Sequence, residues 1–187
     1  MYLLPFNHPD YPPDGDECWK FFITCDDPDG DVADFLDAME TVGGAFEEAW
    51  VYASKLALSG KAWKTLIPDA KRFHDVGEVK CKRGTGKHET HKVWMFKHGR
   101  VRILWCYAGP QRVMLFGQTL LKNQNKIDPA DIDLVGKEMQ RYFTALDTAK
   151  IDIAGGEDNE QTFGKLFEPK QEPAGALKKG SPSRGRG

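Results

Sequence analysis

Three stretches of the chain carry cations inside sequence that otherwise reads as β-sheet. Glu78-Val79-Lys80-Cys81-Lys82-Arg83 alternates polar and apolar residues, so a strand there sets Lys80 and Lys82 on one face and Val79 and Cys81 on the other. His91 to Tyr107 reads as two apolar strands joined at His98-Gly99, the second carrying Arg100 and Arg102 into hydrophobic sequence. Leu121 to Lys126 leaves a third apolar run, Val113 to Leu121, as a polar exit with Lys122 and Lys126. Amines and guanidinium groups gathered on one sheet face suit an anionic ligand, and a guanidinium can hold a phosphate through two parallel hydrogen bonds. The expectation is a basic face turned to RNA. His91 and His98 add groups that titrate near neutrality and could move protons there.

The elements that must position these residues follow from periodicity. Residues 1–17 are rich in Pro and Asp and read as an irregular lead-in. Cys18 to Cys25 is a short aromatic and β-branched run, a strand closed by Asp26 to Gly30. Asp31 can cap a helix whose Val32, Phe35, Leu36 and Met39 share one face. Gly43-Gly44 breaks it, and Phe46, Ala49, Trp50, Ala53, Leu56 and Ala57 carry the same spacing to about Ser59. The two helices form a hairpin that must cover a sheet. Gly84 to Glu89 reads as a mobile basic loop, and Val113 to Leu121, apolar on both faces, as a central strand. Asp128-Pro129-Ala130-Asp131 starts a last helix, with Ile132, Val135, Met139, Phe143 and Leu146 as its stripe. Residues 150–187 lose the pattern and end in LKKGSPSRGRG, a basic tail expected to be disordered.

The 187 residues suffice for one well-cored domain, placed at 18–149. The formal net charge of -2 hides an asymmetry: carboxylates crowd residues 10–40 against Lys20 alone, while Lys and Arg dominate residues 61–126. The cysteines Cys18, Cys25, Cys81 and Cys106 form no CxxC pair and fit buried thiols of a cytoplasmic protein. No signal peptide or membrane span is visible. Cys81, His88, His91 and Cys106 match no common zinc spacing, and Gly84-Thr85-Gly86-Lys87 lacks the P-loop spacing, so neither metal nor cofactor is expected. Trp94, Phe96, Trp105 and Tyr107 could stack bases, but at strand spacing beneath helices they are expected in the core.

Residues 19–145 resemble the RelE/HigB superfamily of toxins from type II toxin–antitoxin systems, most closely its phage-derived HigB-like branch. The resemblance is carried by Asp31-Val-Ala-Asp-Phe-Leu-Asp, Gly77-Glu-Val-Lys, Gly99-Arg-Val-Arg-Ile-Leu-Trp, Val113-Met-Leu-Phe-Gly, Leu121-Lys-Asn-Gln-Asn-Lys and the helix at Pro129. It implies an α+β, RelE/ParE-like fold: an antiparallel or mixed sheet of four to five strands, covered on one face by the N-terminal helical hairpin and a C-terminal helix. It also implies a metal-independent endoribonuclease that cuts mRNA on the ribosome by attack of a 2′-hydroxyl on the adjacent phosphate, restrained by a helix-turn-helix antitoxin. On that resemblance Lys80, Lys82 and Arg102 hold the reacting phosphate, while Lys122, Arg100, Lys126 and Arg83 anchor RNA. Glu78 stands where several relatives carry lysine, and residues 123–130 lack the Tyr or His that relatives use as general acid, which leaves His91 or His98 for that role. The alternatives are a non-catalytic phage RNA- or protein-binding module on the same fold, or a gyrase-directed relative.

Overall fold

The computed structural model describes residues 1–25, 41–109, 112–122 and 126–153. Among these residues ten elements follow one another: β1 (Tyr2–Pro5), β2 (Lys20–Cys25), α1 (Gly44–Leu58), α2 (Trp63–Leu66), β3 (Phe73–Lys82), β4 (His88–His98), β5 (Val101–Gly109), β6 (Val113–Leu121), α3 (Pro129–Asp147) and β7 (Asp152–Ile153). The strands make one seven-stranded sheet in the order β3-β4-β5-β6-β2-β1-β7. Its pairs are antiparallel except β2 with β6 and β1 with β7.

This corrects the expected sheet of four or five strands covered on one face. The α+β class stands, but the sheet is larger and both of its faces are covered. One core joins Phe46, Ala49, Ala53 and Ala57 of α1 and Trp63 of α2 to Phe21, Phe96, Ile103, Trp105, Met114 and Phe116. A second joins Val135, Met139, Tyr142 and Phe143 of α3 to Val79, Val93, Met95, Leu104, Cys106 and Leu115. Successive strand residues point to opposite faces, so strands apolar at every position need a helix on each side. The extra strands come from segments with little pattern of their own. Residues 2–5, assigned to the irregular lead-in, pair with β2, and residues 152–153, assigned to the tail, pair with β1. The expected first helix of the hairpin falls almost wholly on residues 26–40, and most of the expected tail on 154–187; both lie outside the described residues.

Local chemistry accounts for the helices. The Asp128 carboxylate accepts the Ala130 N–H at 3.0 Å with Pro129 in the first turn, which satisfies one of the free amides that start α3. Small residues four apart, Ala49, Ala53 and Ala57, let α1 lie close on the sheet. Gly117 does the same for α3. It is the extra residue of a bulge between the pairs Trp105–Phe116 and Leu104–Gln118, and a Cβ there would stand 3.1 Å from the Val135 Cα. No helix among the described residues is long and apolar enough to cross a membrane.

Candidate nucleic-acid interface

The β3–β4 hairpin presents its cations by simple alternation. Val79 and Cys81 turn inward toward α3, leaving Glu78, Lys80 and Lys82 exposed on the opposite face, the one α1 and α2 cover further along the sheet. The antiparallel register adds β4 to that surface: Lys82 pairs with His88, Lys80 with Thr90 and Glu78 with Lys92, and the three lysines and His88 are all exposed. Directly paired residues have Cβ atoms about 5 Å apart and diagonal neighbours about 7 Å. His88 therefore stands beside both Lys82 and Lys80. Its imidazole lies on the lysine face because His88 pairs with Lys82, as the first residue of β4 and not part of the expected mobile loop 84–89.

Asp75 shares this face and takes one cation: its carboxylate lies 3.3 Å from the Lys92 ammonium, and that contact holds Asp75 below the usual carboxylate range. Lys80 and Lys82 are in no ion pair among the described residues. A sulfur site does not form here. All four cysteines are free and buried, and burial pushes the Cys81 and Cys106 thiols up, away from the reactive thiolate form. Among the described residues no three His, Cys, Asp or Glu side chains gather as a metal site.

The remaining expected residues lie elsewhere. Arg102 is 1 % exposed, on the α3 side of β5, and its Nη1 donates to the Gly99 and Val101 carbonyls at 3.1 Å each. The sheet itself separates it from Lys80 and Lys82. Lys122 is 2.9 Å from Asp131, and its backbone N–H donates to the Arg100 carbonyl, so Lys122 and Arg100 sit together at the β4–β5 turn. That turn follows His98, ten residues along β4 from His88, or roughly 30 Å at the rise of a strand. Cations there cannot share a phosphate with Lys82. Lys126 is exposed beyond β6. His98 packs against the Tyr52 ring with centroids 5.2 Å apart.

Arg83 and His91 fasten the hairpin to α3. Arg83 donates to Asp147 at 2.7 Å and to Glu89 at 3.0 Å and covers the Phe143 ring at 4.6 Å. His91 stacks on the same ring at 4.7 Å, and its Nε2 lies 3.6 Å from Glu89. Gln140 completes the clamp, accepting from the Lys82 N–H at 2.7 Å and donating to its carbonyl at 2.9 Å, which occupies the open edge of β3 at its last residue.

Acid is expected to loosen this clamp in two stages. Burial on Phe143, with Arg83 nearby, lowers the His91 pKa against the opposing pull of Glu89. A depressed pKa means that folding favours neutral His91, so its contribution is complete above the ordinary histidine value of about 6.5 and declines as pH falls from there. The Arg83 guanidinium and the Gly84 N–H hold Asp147 below its usual range, so its contribution persists at pH 4 and is lost as pH falls through that lower value. Urea unfolding between pH 8 and 3 checks the order: His91→Phe should remove the first decline and keep the second.

No family model matches the chain, and neither does any curated protein or solved structure.

Proposed function

We propose that the chain is a cytoplasmic mRNA endoribonuclease of the RelE/HigB toxin kind, acting on ribosome-bound message and restrained by a helix-turn-helix antitoxin. The observation that carries this reading is the exposed triad Lys80, Lys82 and His88 on one hairpin face. It supplies what metal-independent cleavage of RNA needs at one place: cations for the phosphate and a titratable group for proton transfer. The 2′-oxygen bonds to phosphorus as the bond to the 5′-oxygen breaks, leaving a 2′,3′-cyclic phosphate and a 5′-hydroxyl. Lys80 and Lys82 oppose the charge that builds on the phosphoryl oxygens. His88, as imidazolium, protonates the departing 5′-oxygen, and water takes the proton of the 2′-hydroxyl. His88 thus fills the acid role that the resemblance left open to His91 or His98.

Expression in a bacterial host with primer extension on cellular mRNA tests the proposal. Growth arrest with cuts inside translated frames is the expected result, and arrest-free growth with intact message would overturn it. A second reading, an RNA-binding module without nuclease chemistry, is favoured by one fact: Arg102 lies across the sheet from Lys80 and Lys82, so the phosphate site lacks its arginine.

A further inference from the structure

The lysine face continues into an aromatic band. Trp94 stacks on Phe73 at 5.2 Å on one side and meets the Tyr107 ring at 6.0 Å on the other. Tyr107 in turn meets Trp19 at 5.2 Å, so three rings run across β4, β5 and the residue before β2. They belong to the same sheet face as the lysines: Asp75, whose carboxylate holds Lys92, pairs directly with Trp94, and the Lys92 ammonium lies 6.0 Å over the Trp94 ring. Continuing the β4–β5 register two residues past the Trp94–Trp105 pair brings Tyr107 alongside Lys92.

The four aromatics of this hairpin part company in the structure. Phe96 and Trp105 are sealed in the core at 1 % and 0 % exposure, as expected of all four, whereas Tyr107 is 37 % exposed and Trp94 and Trp19 are half-buried. Trp105 meets Tyr107 edge-on at 4.7 Å and so props the exposed ring from beneath. A propped ring loses little freedom when a second flat molecule stacks on it. Aromatic faces next to ammonium groups are what unpaired nucleotides use, since bases stack on the rings while phosphates follow the cations.

We infer that Tyr107, with Trp94 and Trp19 beside it, is a base-stacking platform that selects unpaired, single-stranded RNA and leads it onto Lys80 and Lys82. The inference deepens the proposed function and rests on it for the identity of the strand. Charge complementarity favours RNA over an apolar protein segment, because Lys80, Lys82 and Lys92 outnumber the two carboxylates, Asp75 and Glu78, on this hairpin face. Double-stranded RNA has no free base faces to offer the rings.

The test uses the full chain and an oligoribonucleotide of about 12 residues, the length range such platforms cover, made with 2′-O-methyl sugars so that no attacking hydroxyl is present. Binding is read by tryptophan fluorescence. The single strand should quench the emission, and a duplex of the same sequence should not. Tyr107→Ala should weaken single-strand binding about 5- to 150-fold, the span of one base stack, and Tyr107→Phe should restore it. Circular dichroism and the urea midpoint establish that both variants fold. Equal affinity of the parent and Tyr107→Ala, or quenching by the duplex as strong as by the single strand, would overturn the platform. The two readings fail separately. Loss of mRNA cuts with the Tyr107 effect intact removes the nuclease and keeps the platform, whereas cuts with no Tyr107 effect do the reverse.

Discussion

His88→Ala is expected to lower the proposed mRNA cleavage by about 10²- to 10⁴-fold, the usual worth of a positioned proton donor, and to leave the urea midpoint where it was. His88 is exposed at the start of β4, opposite Lys82. Its removal subtracts chemistry and little packing. The other two histidines of this segment make the contrast sharp. His91 stacks on Phe143 on the α3 side, and His98 packs on Tyr52 near the far end of the strand. His91→Ala and His98→Ala should change stability more than cleavage per folded molecule. Lys82→Ala should lose cleavage along with His88→Ala, because the ammonium is a direct neighbour of the imidazole. Primer extension on ribosome-bound message, with folded protein quantified in parallel, measures all four. Cleavage that survives His88→Ala and falls with His91→Ala would move the acid role to the opposite face.

Arg102→Ala should destabilise the fold by about 2–4 kcal/mol, through lost packing of the side-chain stem and lost charge-assisted bonds to carbonyls. The side chain is 1 % exposed and bonds the carbonyls of Gly99 and Val101, which tie the β4–β5 turn to the strand that leaves it. Burial lowers its pKa. Yet an arginine titrates so far above neutrality that the guanidinium keeps its charge and must keep its partners. Replacement by an apolar residue of similar length removes the charge together with the need to satisfy it, so Arg102→Met should cost less than Arg102→Ala. Urea unfolding of the three proteins decides. A variant Arg102→Ala with an unchanged midpoint and a selective loss of cleavage would return Arg102 to the phosphate.

How much of this was legible before the structure varies by residue, for physical reasons. Period-two alternation over 78–82 was enough to put Lys80 and Lys82 on one exposed face. Alternation cannot supply register, and register is what sets His88 opposite Lys82; the glycines and polar residues of 84–89 read as loop up to the strand's first residue. The burial of Arg102 left a trace that was open to use. Ile103, Leu104, Trp105 and Cys106 are consecutive apolar residues, and a strand apolar on both faces must be covered on both. The same argument applied to 113–121 calls for a helix on each side of the sheet, which is where α1 and α3 lie. Strand β1 left no such trace. Tyr2 to Pro5 is four residues long within Pro- and Asp-rich sequence, and only its pairing with β2 and β7 makes it a strand.

The central claim, 2′-hydroxyl attack at the Lys80, Lys82 and His88 face, is tested most directly by the nucleophile itself. Ribosomes are programmed with a message that carries a single 2′-deoxy nucleotide on the 5′ side of the mapped cut, and its cleavage by the full chain is compared with that of the all-ribose message. The all-ribose message is expected to be cut to a 2′,3′-cyclic phosphate and a 5′-hydroxyl, and the deoxy message to stay whole at that position. A cut that persists without the 2′-hydroxyl, or that leaves a 5′-phosphate, would contradict it.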